Sequence, residues 1–160
     1  MAFERFTTLA QEALAGAQGR AVRSEHGQIS PLHLLVVLLE DNDSVASSIL
    51  RKAGREDRRI LEVAEAELNR MPVVKGGSTQ GGTALQQVLA DSERTAQAMS
   101  DQYVSCEHLL LSLAEVESDA KKVLIECGTG AKQIREAIAA VRKSSGVQNV
   151  TDPGAEGNYE

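Results

Sequence analysis

The sequence predicts an all-α fold of eight helices, built as two four-helix repeats packed about a pseudo-two-fold axis. Three observations carry this prediction. The chain repeats itself at a nearly constant offset. Its apolar residues are Leu, Ile, Val and Ala, with only Phe3, Phe6, Tyr103 and Tyr159 as aromatics, a composition that favours packed helices over a β-sandwich. Ser, Pro and Gly punctuate it at spacings suited to helix starts and stops.

The repeat is plainest in two segments. Residues 29–40 read ISPLHLLVVLLE and residues 104–115 read VSCEHLLLSLAE. At an offset of 75, Ser30 meets Ser105, His33 meets His108, Leu34, Leu35 and Leu38 meet Leu109, Leu110 and Leu113, and Glu40 meets Glu115. Upstream, Leu14 meets Leu89 and Ala21 meets Ala96. Downstream the offset falls to 74, where Leu50 meets Leu124, Gly54 meets Gly128, Ile60 meets Ile134 and Glu62 meets Glu136. A one-residue deletion between helices explains the change.

The first helix is expected from about Glu4 to Arg23, with Phe6, Leu9, Ala13, Leu14, Ala17 and Ala21 near one face. The second starts after the N-cap Ser30, with Pro31 at the first helical position, where its missing N–H costs nothing. The third runs from about Ser44 to Ala53 and stops at Gly54, the left-handed position after a helix. The fourth covers about Glu56 to Met71, with Ile60, Val63, Ala64 and Leu68 inward, and Pro72 ends it. A Gly-rich connector, residues 73–83, reads as flexible and separates repeat one (about 1–72) from repeat two (about 84–143). The second set follows over about Ala84–Met99, Ser105–Glu115, Asp119–Cys127 and Thr129–Arg142. Residues 144–160 lack apolar periodicity and read as a mobile linker.

Composition narrows the function. The chain has 160 residues, 42% hydrophobic and 25% charged, enough to bury a core, and its net charge of −6 argues against nucleic acid as a partner. The densest basic stretch, Arg51 to Arg59, is diluted by Glu56 and Asp57 and reads as a solvated helix surface. The longest apolar run, Leu34 to Leu39, is too short to span a bilayer, and the N-terminus lacks a signal-peptide core. Cys106 and Cys127 form no spaced framework, so a reduced, cytoplasmic and monomeric domain is expected.

Catalytic and metal signals are weak. The connector glycines lack the Lys of a phosphate-binding loop, and no strand precedes them. Cys106 and His108, two apart on a helix, diverge and do not make a nucleophile–base pair, although the distant His33 leaves a remote Cys/His hydrolase reading open. His26, His33, His108 and the cysteines lack zinc-ligand spacing. In Ser30-x-x-His33 and Ser105-x-x-His108 the histidine stands where a capping-box Glu or Gln would, so its ring is expected to reach back to the N-cap as a neutral group. No catalytic residue, cofactor or metal is expected.

With the repeat established, the chain resembles the N-terminal domain of Clp ATPases, most of all the ClpB-type disaggregases. The carriers are Phe6-Thr7, ISPLHLLVVLLE, the Gly54 stop, NRMPVVKGG at residues 69–77 and DQYVSCEHLLL at residues 101–111, together covering about residues 3–143. The tail GVQNVTDPGAEGNYE is similar to the stretch leading into a first AAA+ domain, so the chain reads as part of a longer protein, or else as a stand-alone double-repeat adaptor. The resemblance implies the Clp N-domain fold. It also implies a non-catalytic module, mobile on a hexameric ATPase ring, that captures unfolded or aggregated polypeptide, or an adaptor, for threading; neither nucleic acid nor membrane is an implied partner. A ClpC-like, protease-associated role is the alternative, but that branch carries Glu-His in both halves, and here only Glu107-His108 remains beside Leu32-His33.

The resemblance also points to a site. Thr7, Asp101 and Glu107 match polar positions at the family's substrate-handling surface, and Leu85, Val88 and Leu89 are expected to offer an apolar strip beside them, though some must be core. Asp91 and Thr95 stand at positions that are often leucine, which predicts a more polar groove. Glu107 and Asp101 have a second reading, as a dipole-complementing residue and a loop end. Binding is expected to be weak, broad and hydrophobic.

Overall fold

A computed structural model describes residues 4–146, 149–151 and 153–154. It contains eight helices: α1 (Thr8–Arg23), α2 (Pro31–Glu40), α3 (Val45–Lys52), α4 (Asp57–Asn69), α5 (Thr83–Ala98), α6 (Cys106–Glu115), α7 (Asp119–Glu126) and α8 (Ala131–Ser145). Two short strands, β1 (Gln28–Ile29) and β2 (Gln80–Gly81), pair in parallel. Among the described residues no helix is long and apolar enough to cross a membrane.

The starts and stops have local causes. Ser44 and Ser118 accept the backbone N–H groups of Ser47 and Lys121 and so cap α3 and α7. Gly54 and Gly128 follow α3 and α7 with φ of +78° and +76°, a conformation other residues adopt only with strain. The first helix begins at Thr8 and not at Glu4: Thr7 is its N-cap, accepting from the N–H of Ala10 at 3.1 Å, while Phe6 lies outside it, bridged to Val104. Its inward face is Ala10, Ala13, Ala17 and Ala21, and Leu9 is 39% exposed. These small residues let α1 lie close on α2; a Cβ on Gly16 would stand 2.9 Å from Val37. The last helix runs to Ser145, past the expected boundary, and ends at Gly146, φ +76°.

The two halves repeat each other's packing. α1 lies on α2 as α5 lies on α6, and α2 meets α4 as α6 meets α8. Between halves, α3 packs on α8 and α4 on α7, while α2 and α6 meet at the pseudo-axis. One apolar core therefore runs through both, from Phe6, Leu35 and Ile49 to Leu110, Leu124 and Ile134. Even the short bridges obey the repeat. Phe6 pairs with Val104 as Gly81 pairs with Ile29, and the Thr7 N–H donates to the Val104 carbonyl at 2.9 Å as the Gly82 N–H donates to that of Ile29 at 3.3 Å. The connector thus carries β2, and the Val74 N–H and the Thr79 hydroxyl donate to the carbonyls of Glu25 and His26.

Candidate functional site

The residues before α2 and α6 follow one local plan. After α1 and α5 the chain turns through left-handed Glu25 and Ser100, φ 55° and 60°, and the next residues' N–H groups return to the carbonyls of Ala21 and Ala96. That turn points His26 at His33 in the first half and Asp101 at His108 in the second, with ring contacts of 2.7 and 2.6 Å. Both downstream histidines reach back to their N-caps. The N–H groups of Ser30 and Ser105 donate to Nδ1 of His33 and His108 at 2.9 and 2.8 Å. Nδ1 is then an acceptor, so Nε2 carries the proton and donates to His26 or to Asp101.

From this shared plan the halves diverge chemically. In the second, Asp101 also accepts Nη1 and Nη2 of Arg142 at 3.2 and 2.8 Å, and Arg142 bridges on to Glu107. The backbone N–H of Val150 donates to Asp101 at 2.8 Å, and the Asn149 amide reaches it at 3.4 Å. The node is buried: Asp101 is 6% exposed, Arg142 8%, Glu107 and His108 0%. Burial alone would raise the Asp101 pKa, but hydrogen bonds from His108, Arg142 and Val150 outweigh it and hold the carboxyl at about 2. Burial opposes the Arg142 cation, and its bonds to Asp101 and Glu107 prevail and push its pKa up. In the first half, Leu32 and Leu68 occupy the places of Glu107 and Arg142 and are fully buried. There burial, then the positive charges of His26 and Arg20, bring His33 down to about 4.

Asp101, Glu107 and His108 bring three ligand atoms within 4.8 Å of one another, a spacing a metal ion could use. The donors are already committed: Arg142 bridges the carboxylates and the His108 Nε2 proton faces Asp101. The two thiols are not joined, and burial raises the pKa of Cys127.

The expected site residues are placed differently from the sequence reading. Thr7, Asp101 and Glu107 are buried, as are Leu85 at 7%, Val88 at 0% and Leu89 at 5%. The three apolar residues face the core because α5 lies on α6 along that side, so they present no strip to solvent. The open surface lies on the next face of α5. A groove of about 500 Å³ runs between α5 and α8, with Ala98, Met99, Leu111, Ile138 and Ala139 as its apolar wall, Asp91, Arg94, Thr95, Glu115 and Arg135 as its polar residues, and Arg142 where it meets the buried node. The salt bridges Asp91–Arg94 at 3.4 Å and Glu115–Arg135 at 3.0 Å stand there. Asp91 and Thr95, singled out in the sequence, both line it. At the matching place in the first half, Arg20 reaches Glu40 at 3.4 Å and Glu65 at 3.9 Å, clasping α1 to α2 and α4. Thr95 and Ala139 replace Arg20 and Glu65 in the second half, and these shorter side chains leave the space open. Arg142 was missed from the sequence, although the repeat signals it: at offset 74 it falls on Leu68, as Glu107 falls on Leu32 at 75.

The structure is a double four-helix repeat with one half clasped and the other open. The chain belongs to the Clp repeat (R) N-terminal domain family, whose model matches residues 5–127. It is 32% identical over 163 residues to the chaperone protein ClpB of Rhodopirellula baltica, covering 100% of this chain and 18% of that protein. The chain therefore spans about a fifth of the length of such relatives. Its fold matches the Hsp104 N-terminal domain from Candida albicans, with TM-score 0.83 and 22% identity over 96% of this chain and 99% of that one. It also matches a ClpV N-domain in complex with a VipB peptide, with TM-score 0.69 and 16% identity over 86% of each chain.

Proposed function

We propose that the chain is the polypeptide-capturing N-terminal module of a ClpB-type disaggregase. It takes unfolded or aggregated clients, or an adaptor, and delivers them to the AAA+ ring of a hexameric parent in the cytoplasm. The module itself is not catalytic. The observation that carries this reading is the one-sided groove: Thr95 and Ala139 leave Ala98, Met99 and Ala139 itself facing an open space floored by the buried Leu111 and Ile138, where the first half is clasped by Arg20. An extended segment can lay alternate apolar side chains on such a wall, an interaction that is weak per contact and tolerant of sequence. Thr7, Asp101, Glu107, Leu85, Val88 and Leu89 then serve as positioning residues. The two acids fix Arg142 at the groove's end, the three apolar residues anchor α5, and Thr7 caps α1 and ties it to Val104.

The test copies the clasp into the second half. Thr95→Arg with Ala139→Glu is expected to fill the groove and weaken binding of a permanently unfolded client at least about tenfold, with the helical content unchanged. Equal affinity in a folded variant would remove the groove from the mechanism.

A further inference from the structure

A second cleft lies at the junction of the halves, on another face of the molecule. α1 and the turn between α2 and α3 enclose about 280 Å³, floored by Ala13, Val37 and Leu38 of the first half and by Cys106 from the start of α6. Leu9 stands at its lip, 39% exposed. The charged residues lining it are all acids, Glu12, Asp41 and Asp43. All three are exposed, and among the described residues none enters a salt bridge. Some other surface acids, Glu40, Glu115 and Glu117 among them, each hold a cation. The fold's symmetry does not call for this chemistry either, because Leu9, Glu12 and Val37 fall on Ala84, Gln87 and Ser112 in the repeat. The cleft is smaller than a typical small-molecule pocket and has room for about one large apolar side chain.

We propose that this cleft docks a cationic amphipathic segment of a partner protein. One apolar side chain of the partner seats against Val37 and Cys106, beneath Leu9. Flanking Lys or Arg residues meet Glu12, Asp41 and Asp43, which form no salt bridge among the described residues. Long-range attraction to three exposed carboxylates raises the encounter rate and is screened by salt, while the apolar seat sets the register. The partner is distinguished from a client in the α5–α8 groove by this charge requirement, so an adaptor and a client can bind one domain together.

The probe is a dye-labelled peptide with leucines at i, i+4 spacing flanked by lysines, titrated into the full chain by fluorescence anisotropy. Binding is expected to saturate, to weaken with added salt, and to fall at least about tenfold in Glu12→Lys with Asp43→Lys, both surface changes. It is expected to survive Thr95→Arg with Ala139→Glu, and a photo-cross-linker on the peptide's leucine is expected to label Leu9 or Cys106. Equal binding by the charge-reversed variant, equal binding of the same peptide with Glu in place of Lys, or labelling confined to α5 and α8 would overturn the proposal. So would a concentration-dependent dimer, seen by analytical ultracentrifugation and abolished by the same charge reversal, since the occupant would then be a second copy of this chain.

Discussion

Arg142 holds Asp101 and Glu107 together out of water, and in the first half the matching Leu68 and Leu32 lie in the apolar core. This contrast makes a stability prediction. Arg142→Leu alone strands two buried carboxylates and is expected to cost about 3–5 kcal/mol, read as a lowered urea midpoint. Glu107→Leu with Arg142→Leu copies the apolar pair and is expected to recover most of that loss, since Asp101 keeps its bonds from His108 and Val150. The buried histidine of the first half adds a pH dependence. His33 has a folded pKa of about 4 against 6.5 unfolded, so the unfolded chain binds the extra proton between those values. Stability is therefore full above about pH 6.5, falls as pH drops toward 4 and falls no further from this group, a total of about 3 kcal/mol. Urea midpoints at pH 7 and 5 check this, with His33→Gln expected to flatten the slope. At this scale the sequence was half legible. Ser-x-x-His announced both reach-back bonds, because a cap is local. The pairing of His108 with Asp101, and of Arg142 with both acids, joins residues up to 41 apart and becomes visible only when the repeats are overlaid.

Helices were the most legible elements, for a physical reason: their ends are written in single residues. Ser44 and Ser118 each satisfy an orphan N–H, and replacing either by Ala is expected to lower stability by about 1 kcal/mol in thermal denaturation. Thr7→Ala removes the hydroxyl that accepts the Ala10 N–H and is expected to cost a similar amount, while the backbone bond to Val104 stays. The start of α1 was misplaced because Phe6 continues the apolar period of the helix, although its pairing with Val104 takes it out of helical conformation. The strands β1 and β2 were not legible at all. A two-residue ladder has no periodicity, and its partner lies in the connector, far along the chain. The open groove was legible only in outline. Asp91 and Thr95 marked α5 as the carrier, but which face of α5 is free depends on how it lies on α6, and that turned Leu85, Val88 and Leu89 inward.

The whole molecule is a pseudo-symmetric scaffold whose two halves differ in the side chains they carry. The scaffold is held by one continuous core and by reciprocal contacts of α3 with α8 and α4 with α7. The described tail residues join it. Val150 is 2% exposed, its N–H is bound to Asp101, its carbonyl accepts from Gln102 at 2.9 Å, and the Pro153 carbonyl accepts from Thr8 at 3.1 Å. The linker read from residue 144 onward is thus anchored at the node that also fixes the groove's end, while residues 147, 148, 152 and 155–160 lie outside the described structure. Asp101→Asn is expected to speed hydrogen exchange at the Val150 amide by at least about tenfold relative to core amides such as Leu110. The central claim is that clients enter the second half only. Methyl NMR of the chain titrated with an unfolded client tests it most directly. The expected result is shifts at Leu111 and Ile138, with their counterparts Val36 and Ala64 in the clasped half unmoved. Equal shifts in both halves, or shifts confined to the first, would contradict it.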